Sequence, residues 1–187
     1  MKEDIVNAVR ILEQGGIILY PTDTIWGIGC DATNDKAVQK IYQIKKRQDL
    51  KSMLVLIDSQ DKLYQYVTQI PEVAWEILDA AVCPVTIIYP GVRNLAANLI
   101  AGDSSAGFRI TGDRFCQQLI HRFKKPVVST SANISGKAAP QIFNEIDPLI
   151  RKSVDYVVNW RQDDLSRHKP SGIIKLGVNG EIKVIRE

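Results

Sequence analysis

The sequence predicts a single α/β domain, a mixed and twisted sheet with helices on its faces. Short apolar runs that stop at turn residues alternate with stretches of helical periodicity along most of the chain. Near the C-terminus two apolar runs flank Asn179-Gly180, a strong hairpin signal. No repeat, low-complexity tract or Pro/Gly-rich linker divides the 187 residues, so residues 1–187 read as one domain.

Each element has its own local cause. Ile5, Ala8, Val9 and Leu12 recur at helical spacing, and Gly15-Gly16 ends that helix. The run GIILY, stopped by Pro21, is a buried strand. Asp35 to Lys46 is helical, with Val38, Ile41 and Ile44 in one stripe, and Ser52 to Ile57 is a strand. Asp61 to Val67 and Pro71 to Ala81 are helices, the second with proline in its first turn. Val85 to Tyr89 and Gly107 to Ile110 are strands, Asp113 to Phe123 a helix and Pro126 to Thr130 a strand. Pro140 to Ile150 carries a weaker helical pattern, and Val154 to Val158 is a strand leading towards the final hairpin. In such sheets ligands gather where strands end. The unusual residues here follow GIILY, follow the Pro126–Thr130 strand and surround the hairpin.

Composition narrows the chemistry. With 45% hydrophobic and 24% charged residues, a core can form without disulfides or metal. A net charge of +3 and a pI of 8.7 suit an anionic ligand such as ATP or RNA and are specific to neither. Cys30, Cys83 and Cys116 are scattered, fit a reducing compartment and read as small core hydrophobes. Two histidines, His121 and His168, give no His-rich zinc pattern, and His121 reads as surface. The N-terminus carries acidic residues and lacks a signal peptide's apolar core. No run approaches the ~18 apolar residues of a membrane span, so the expected address is the cytoplasm.

Known phosphate-binding and catalytic signatures are missing. No G-x-x-x-x-G-K-[ST] occurs, Gly27-Ile28-Gly29 lacks a third glycine, and no G-x-S-x-G elbow is present. Four other places stand out. In Tyr20–Ala32, threonines flank Asp23 and glycines follow Trp26, which suits either a grip on a small polar ligand or a turn with Asp23 as cap and Trp26 as core. Lys45, Lys46, Arg47 and Lys51 form either a phosphate clamp or a solvated helix end. Ser129, Thr130, Ser131, Asn133 and Ser135, with Gly136, follow a strand directly, as a polar loop or a binding loop. Arg109 shares a strand face with Gly107, opposite Phe108 and Ile110. It is either solvent-facing or a carboxylate anchor.

Taken in order, these segments resemble a family. GGIILYPTDTIWGIGCDA is similar to the entry motif of the YrdC-like threonylcarbamoyl-AMP synthases, and Lys45-Lys46-Arg47 to their K-x-R. PVVSTSANISG resembles their SAN-x-SG segment, and KPSGIIKL with KVIRE their closing motif and terminal arginine. The resemblance spans roughly Ile5 to Glu187 and matches the short, single-domain form. It implies an open twisted sheet around a basic cavity. It also implies a nucleotidyltransferase that joins ATP, bicarbonate and L-threonine into threonylcarbamoyl-AMP and pyrophosphate, with Mg²⁺ carried on the phosphates rather than by protein ligands. Transferase partners would then modify tRNA to threonylcarbamoyladenosine.

By position, the resemblance implies Lys45, Arg47 and Lys51 on the triphosphate, Thr86 and Asn133 on the nucleotide, and Arg186 closing that side. Thr24, Arg109, Ser131 and Ser171 would surround the threonine, with Arg109 on its carboxylate. Lys45, Arg47, Ser131 and Asn133 would be the catalytic set. The inventory suits such chemistry: a carbamate needs no strong base, whereas the leaving pyrophosphate needs positive charge and positioning. Three positions depart from the family pattern. They are Ser52, Cys83 and Gly172, the last expected to delete a hydroxyl beside the threonine. The same basic concavity would also suit a double-stranded RNA-binding or ribosome-associated factor, a paralogue with another substrate, or a nucleotide sensor. A charge of +3 is thin for a dedicated RNA binder.

Overall fold

The computed structural model describes residues 1–46 and 53–187. Arg47, Lys51 and Ser52 lie outside the described residues. The helices are α1 (Lys2–Glu13), α2 (Asp35–Ile44), α3 (Leu63–Tyr66), α4 (Val73–Ala80), α5 (Arg114–Phe123) and α6 (Pro148–Lys152). The strands are β1 (Ile18–Tyr20), β2 (Gly27–Gly29), β3 (Leu54–Ile57), β4 (Val85–Tyr89) and β5 (Ala106–Ile110). They continue with β6 (Val127–Ser131), β7 (Tyr156–Val157), β8 (Gly172–Leu176) and β9 (Ile182–Arg186). They form one sheet in the order β7-β1-β2-β6-β3-β5-β4-β8-β9. β1–β7, β3–β5 and β4–β8 run parallel and the other neighbours antiparallel, giving the mixed sheet the sequence predicts.

Caps start the helices where short polar residues precede them. The Asn34 side chain accepts from the Lys36 and Ala37 amides, and Asp113 accepts from Cys116 N at 2.9 Å. Lys124, at φ 64°, stops α5 in the left-handed region. The final hairpin is the three-residue kind. Gly180 N donates to Gly177 O, Gly177 N donates to Glu181 O, and Gly180 takes φ 79°.

Several expected elements differ. The Gly27–Gly29 segment is a strand, paired with both β1 and β6, where the sequence suggests only a loop. Its two glycines carry no strand propensity, so pairing alone makes it one. The expected Pro140–Ile150 helix is a 3₁₀ turn at Phe143–Glu145 followed by α6, which begins at the Pro148 that Asp147 caps. Asp61–Val67 is likewise a 3₁₀ turn running into the single turn of α3, and Pro71 stands ahead of α4 rather than inside it. Cys83 is exposed, whereas Cys30 and Cys116 are buried as expected.

Two cores flank the sheet. Ile5, Leu12, Phe115, Leu119 and Phe123 of α1 and α5 pack on Ile18, Tyr20, Leu56 and Val127. On the other face Val38, Ile41, Leu63, Ala74 and Ile150 pack on Leu19, Ile28, Val55, Ile87 and Val128. Strand alternation assigns the faces without ambiguity. Leu56 is in register with Arg109 and with Val127, and Leu54 with Ser129. The α1/α5 face therefore continues onto Arg109, Gly107, Thr86 and Ile173, where these two helices no longer reach. No helix among the described residues covers that half of the face, and it is where a ligand fits.

Candidate active site

A cavity of about 290 Å³ occupies this half-face. β2 and the turn before it supply Thr24–Gly27, β4 supplies Thr86 and Ile88, and β5 supplies Gly107 and Arg109. Ser129, Thr130 and Ser131 come from β6, and Pro170, Ser171, Ile173 and Arg186 from the closing segment. Small side chains at the centre of the sheet make the hollow. A Cβ on Gly107 would approach Thr86 Cγ2 to 3.2 Å, and one on Gly27 would approach Ser129 Oγ to 3.0 Å.

Arg109 is 3% exposed on the sheet floor. Its Nη2 lies 2.9 Å from Asp23 Oδ1 and donates to Thr22 Oγ1 at 3.5 Å, while its Nε has no hydrogen-bond partner among the described residues. Asp23 is held by the Gly112 amide at 3.2 Å and the Thr111 hydroxyl at 3.4 Å. The turn reading of the Tyr20–Ala32 segment is realised, and the same segment lines the cavity. Asp23 caps backbone and Trp26 is core, 4% exposed against Phe143, while Thr24 lines the cavity.

The opposite wall is built by the hairpin. Arg186 Nε and Nη2 donate to Ser171 O at 3.0 and 2.8 Å. Thr86 and Ser171 hydroxyls share a 2.8 Å hydrogen bond. Burial, and then repulsion from Arg109, lowers the Arg186 guanidinium from its usual value. Arg186 thus meets repulsion from Arg109 across a hollow, and none of its described lining residues is a carboxylate. An anion placed there would offset both the burial and the repulsion.

Of the residues singled out by sequence, Thr24, Thr86, Arg109, Ser131, Ser171 and Arg186 meet on this lining. Lys45 and Asn133 do not. The Lys45 ammonium is buried behind the wall and donates to Ser131 O at 2.5 Å and Asn133 O at 2.7 Å. The loss expected at Gly172 lies elsewhere too. Ser171 and Ile173 line the cavity, so alternation turns position 172 to the opposite face, beside Val85. A Cβ there would meet only Arg186 O, at 3.6 Å.

Sequence reasoning passed over Asp23 as a partner of Arg109, because a turn and a strand that meet only on folding carry no local signal. The segment 159–170 crosses the Pro21–Trp26 turn, pinned by Arg161, which binds Asp113 at 2.9 Å and Asp164 at 3.1 Å from a left-handed backbone at φ 69°. Among the described residues, no cluster of His, Cys, Asp and Glu is arranged to hold a metal ion, and no helix is long and apolar enough to cross a membrane.

The family model for Sua5, YciO and YrdC proteins, described as "Telomere recombination", matches residues 10–187. The threonylcarbamoyl-AMP synthase of Pseudoalteromonas translucida is 30% identical over 181 residues, 95% of each chain. A putative threonylcarbamoyl-AMP synthase of Methanocaldococcus jannaschii is 34% identical over 180 residues, 94% of this chain and 78% of that one. Among solved structures, E. coli YciO superposes with a TM-score of 0.86 at 24% identity, covering 100% of this chain and 90% of that one. P. abyssi Sua5 complexed with L-threonine gives 0.82 at 22% identity over 92% of this chain, which spans 50% of that protein. The chain belongs to the Sua5/YciO/YrdC family.

Proposed function

We propose that the protein is an L-threonylcarbamoyladenylate synthase, a nucleotidyltransferase that makes threonylcarbamoyl-AMP. The observation that carries the reading is a hollow with Arg109 on its floor, Arg186 on its wall, hydroxyls from β4, β6 and the segments before β2 and β8 between them, and no carboxylate among its described lining residues. The threonine amine and bicarbonate condense to a carbamate with loss of water. A carbamate oxygen then attacks the α-phosphorus of ATP, forming the new P–O bond as the bond to pyrophosphate breaks. The carbamate is already an anion, so no side chain has to remove a proton for that attack.

The protein's work is therefore to hold and orient. The Arg109 Nε, without a partner among the described residues, is suited to the threonine carboxylate, with Thr24, Ser131 and Ser171 around the amino acid. Thr86 and Arg186 flank the nucleotide side. Arg47 and Lys51, outside the described residues, are assigned to the triphosphate by their match to the family motif. Mg²⁺ would arrive on the nucleotide's own oxygens, since the described lining residues offer no carboxylate. The product is a reactive mixed anhydride, which a transferase acting on tRNA would consume.

The test is pyrophosphate release with ATP, Mg²⁺, bicarbonate and each of several amino acids in turn, with the adenylate identified by mass. Release should require both bicarbonate and threonine. Turnover without bicarbonate, or with another amino acid preferred, would overturn this substrate.

A further inference from the structure

Lys45 is 3% exposed, and three acceptors on one loop surround its ammonium: Ser131 O at 2.5 Å, Asn133 O at 2.7 Å and Asn133 Oδ1 at 3.2 Å. Its own carbonyl accepts from Ser135 N at 3.0 Å. The end of α2 is thus tied at several points to the loop that follows β6. The Asn133 side chain is committed to the same loop. Its Oδ1 accepts from Ser131 Oγ at 2.5 Å, its Nδ2 donates to Lys137 O at 2.5 Å, and Gly136, at φ 85°, closes the turn between them.

We infer that Lys45 and Asn133 are positioning residues, which hold Ser131 in the cavity wall as a hydrogen-bond acceptor, rather than ligands of the nucleotide. Neither residue is on the cavity lining, whereas Ser131 and its neighbour Thr130 are. The orientation of the Ser131 proton follows from the donor inventory. Asn133 Nδ2 is occupied by Lys137 O, so the atom facing Ser131 is a carbonyl oxygen, and the serine hydroxyl must donate to it. Only lone pairs of Ser131 remain, and they take a hydroxyl or N–H of the bound substrate. An ammonium buried among carbonyls also gains little by leaving them for a phosphate, because the abandoned acceptors would stay desolvated. The inference deepens the ATP and threonine reading and rests on it for the identity of the ligands.

Hydrogen exchange of the ligand-free protein, with threonine and ATP titrations, tests it on Lys45→Met and Lys45→Gln. Lys45→Met should speed exchange at the 131–135 amides by about tenfold and weaken threonine by the same factor, with ATP within about threefold. Lys45→Gln keeps a neutral N–H donor and should restore most of both. A Lys45→Met protein that loses ATP affinity, retains threonine affinity and keeps slow exchange would show a phosphate contact and overturn the inference. So would two variants indistinguishable from the parent. If Lys45→Met does not fold, Lys45→Gln decides alone. Parental exchange with an ATP-selective loss overturns the inference, and exchange raised no more than about threefold with a threonine-selective loss supports it. A parent protein that binds neither ATP nor threonine would refute the proposed function, while the exchange data would still score Lys45.

Discussion

Arg109, on the floor of the cavity, meets Asp23 at 2.9 Å behind the lining, yet the two are not equally dependent on the contact. Asp23 keeps the Gly112 amide and the Thr111 hydroxyl without its partner, whereas Arg109 would keep, among the described residues, only the Thr22 hydroxyl at 3.5 Å. Asp23→Ala should therefore lower the melting temperature more than Arg109→Ala, because it strands a buried cation. Arg109→Ala should instead weaken threonine by ~1.5–3 kcal/mol and leave ATP within about threefold. Calorimetric titration with each ligand and thermal melts check both. An ATP-only effect of Arg109→Ala would reverse the assignment of the two ends.

Gly29→Ala should be among the most damaging single changes in the chain. A Cβ there would collide with the Val128 carbonyl and come within 2.6 Å of Tyr20 Cε1. Both neighbours are fixed, one as strand backbone and one as a fully buried ring whose hydroxyl donates to Val128 O at 3.1 Å. Overpacking of this kind costs typically ~1–3 kcal/mol and more where backbone must move. Denaturant unfolding should show the midpoint falling, and an unchanged midpoint would mean β2 can shift against β6.

Gly172→Thr should leave ligand binding as it is. The added side chain emerges on the face away from the cavity, in an extended strand with open space around it. Threonine is well suited to a strand, so stability should hold or rise slightly. Threonine and ATP titrations that match the parent would confirm the facing. Tighter threonine binding would place the hydroxyl in the pocket after all.

Acid should loosen α1 from the end of β7 through Asp4. Burial pushes its carboxyl up, but hydrogen bonds from Asn159 N at 2.8 Å and Tyr156 Oη at 2.9 Å, with the N-terminal ammonium at 3.3 Å, outweigh it and lower the pKa. A group with a lowered folded pKa stabilises fully above its unfolded value, about 3.9, and loses that contribution as pH falls through the folded one. Stability curves should therefore drop more steeply below about pH 4 in the parent than in Asp4→Asn. Parallel curves would remove Asp4 from the account.

Much of this was legible in the chain because the cues were local. The stripe of Val38 and Ile41, the Asp113 cap and the Asn179-Gly180 turn each act within a few residues, and each element appears where its cue lies. β2 was illegible because glycines become a strand only when β1 and β6 flank them. For the site, residue types on strands carried over: Arg109 faces the cavity because Phe108 and Ile110 face the core or its margin. The surroundings of Lys45 were illegible for the opposite reason. A lysine at a helix end looks the same in sequence whether its ammonium reaches solvent, a phosphate or a buried carbonyl. Only the docking of the β6 loop decides between them.

The parallel pairing of β4 with β8 brings Thr86 against Ser171 across most of the second half of the chain. Parallel neighbours cannot be joined by a tight turn, so this contact closes late and at high entropic cost in folding. Until it closes, the pocket lacks a wall, and no nascent or nicked form missing the last hairpin holds a complete one. Occupancy then becomes a gauge of integrity. Whatever ligand fills the hollow binds only the finished molecule, and so draws the folding equilibrium of every strand towards the native side.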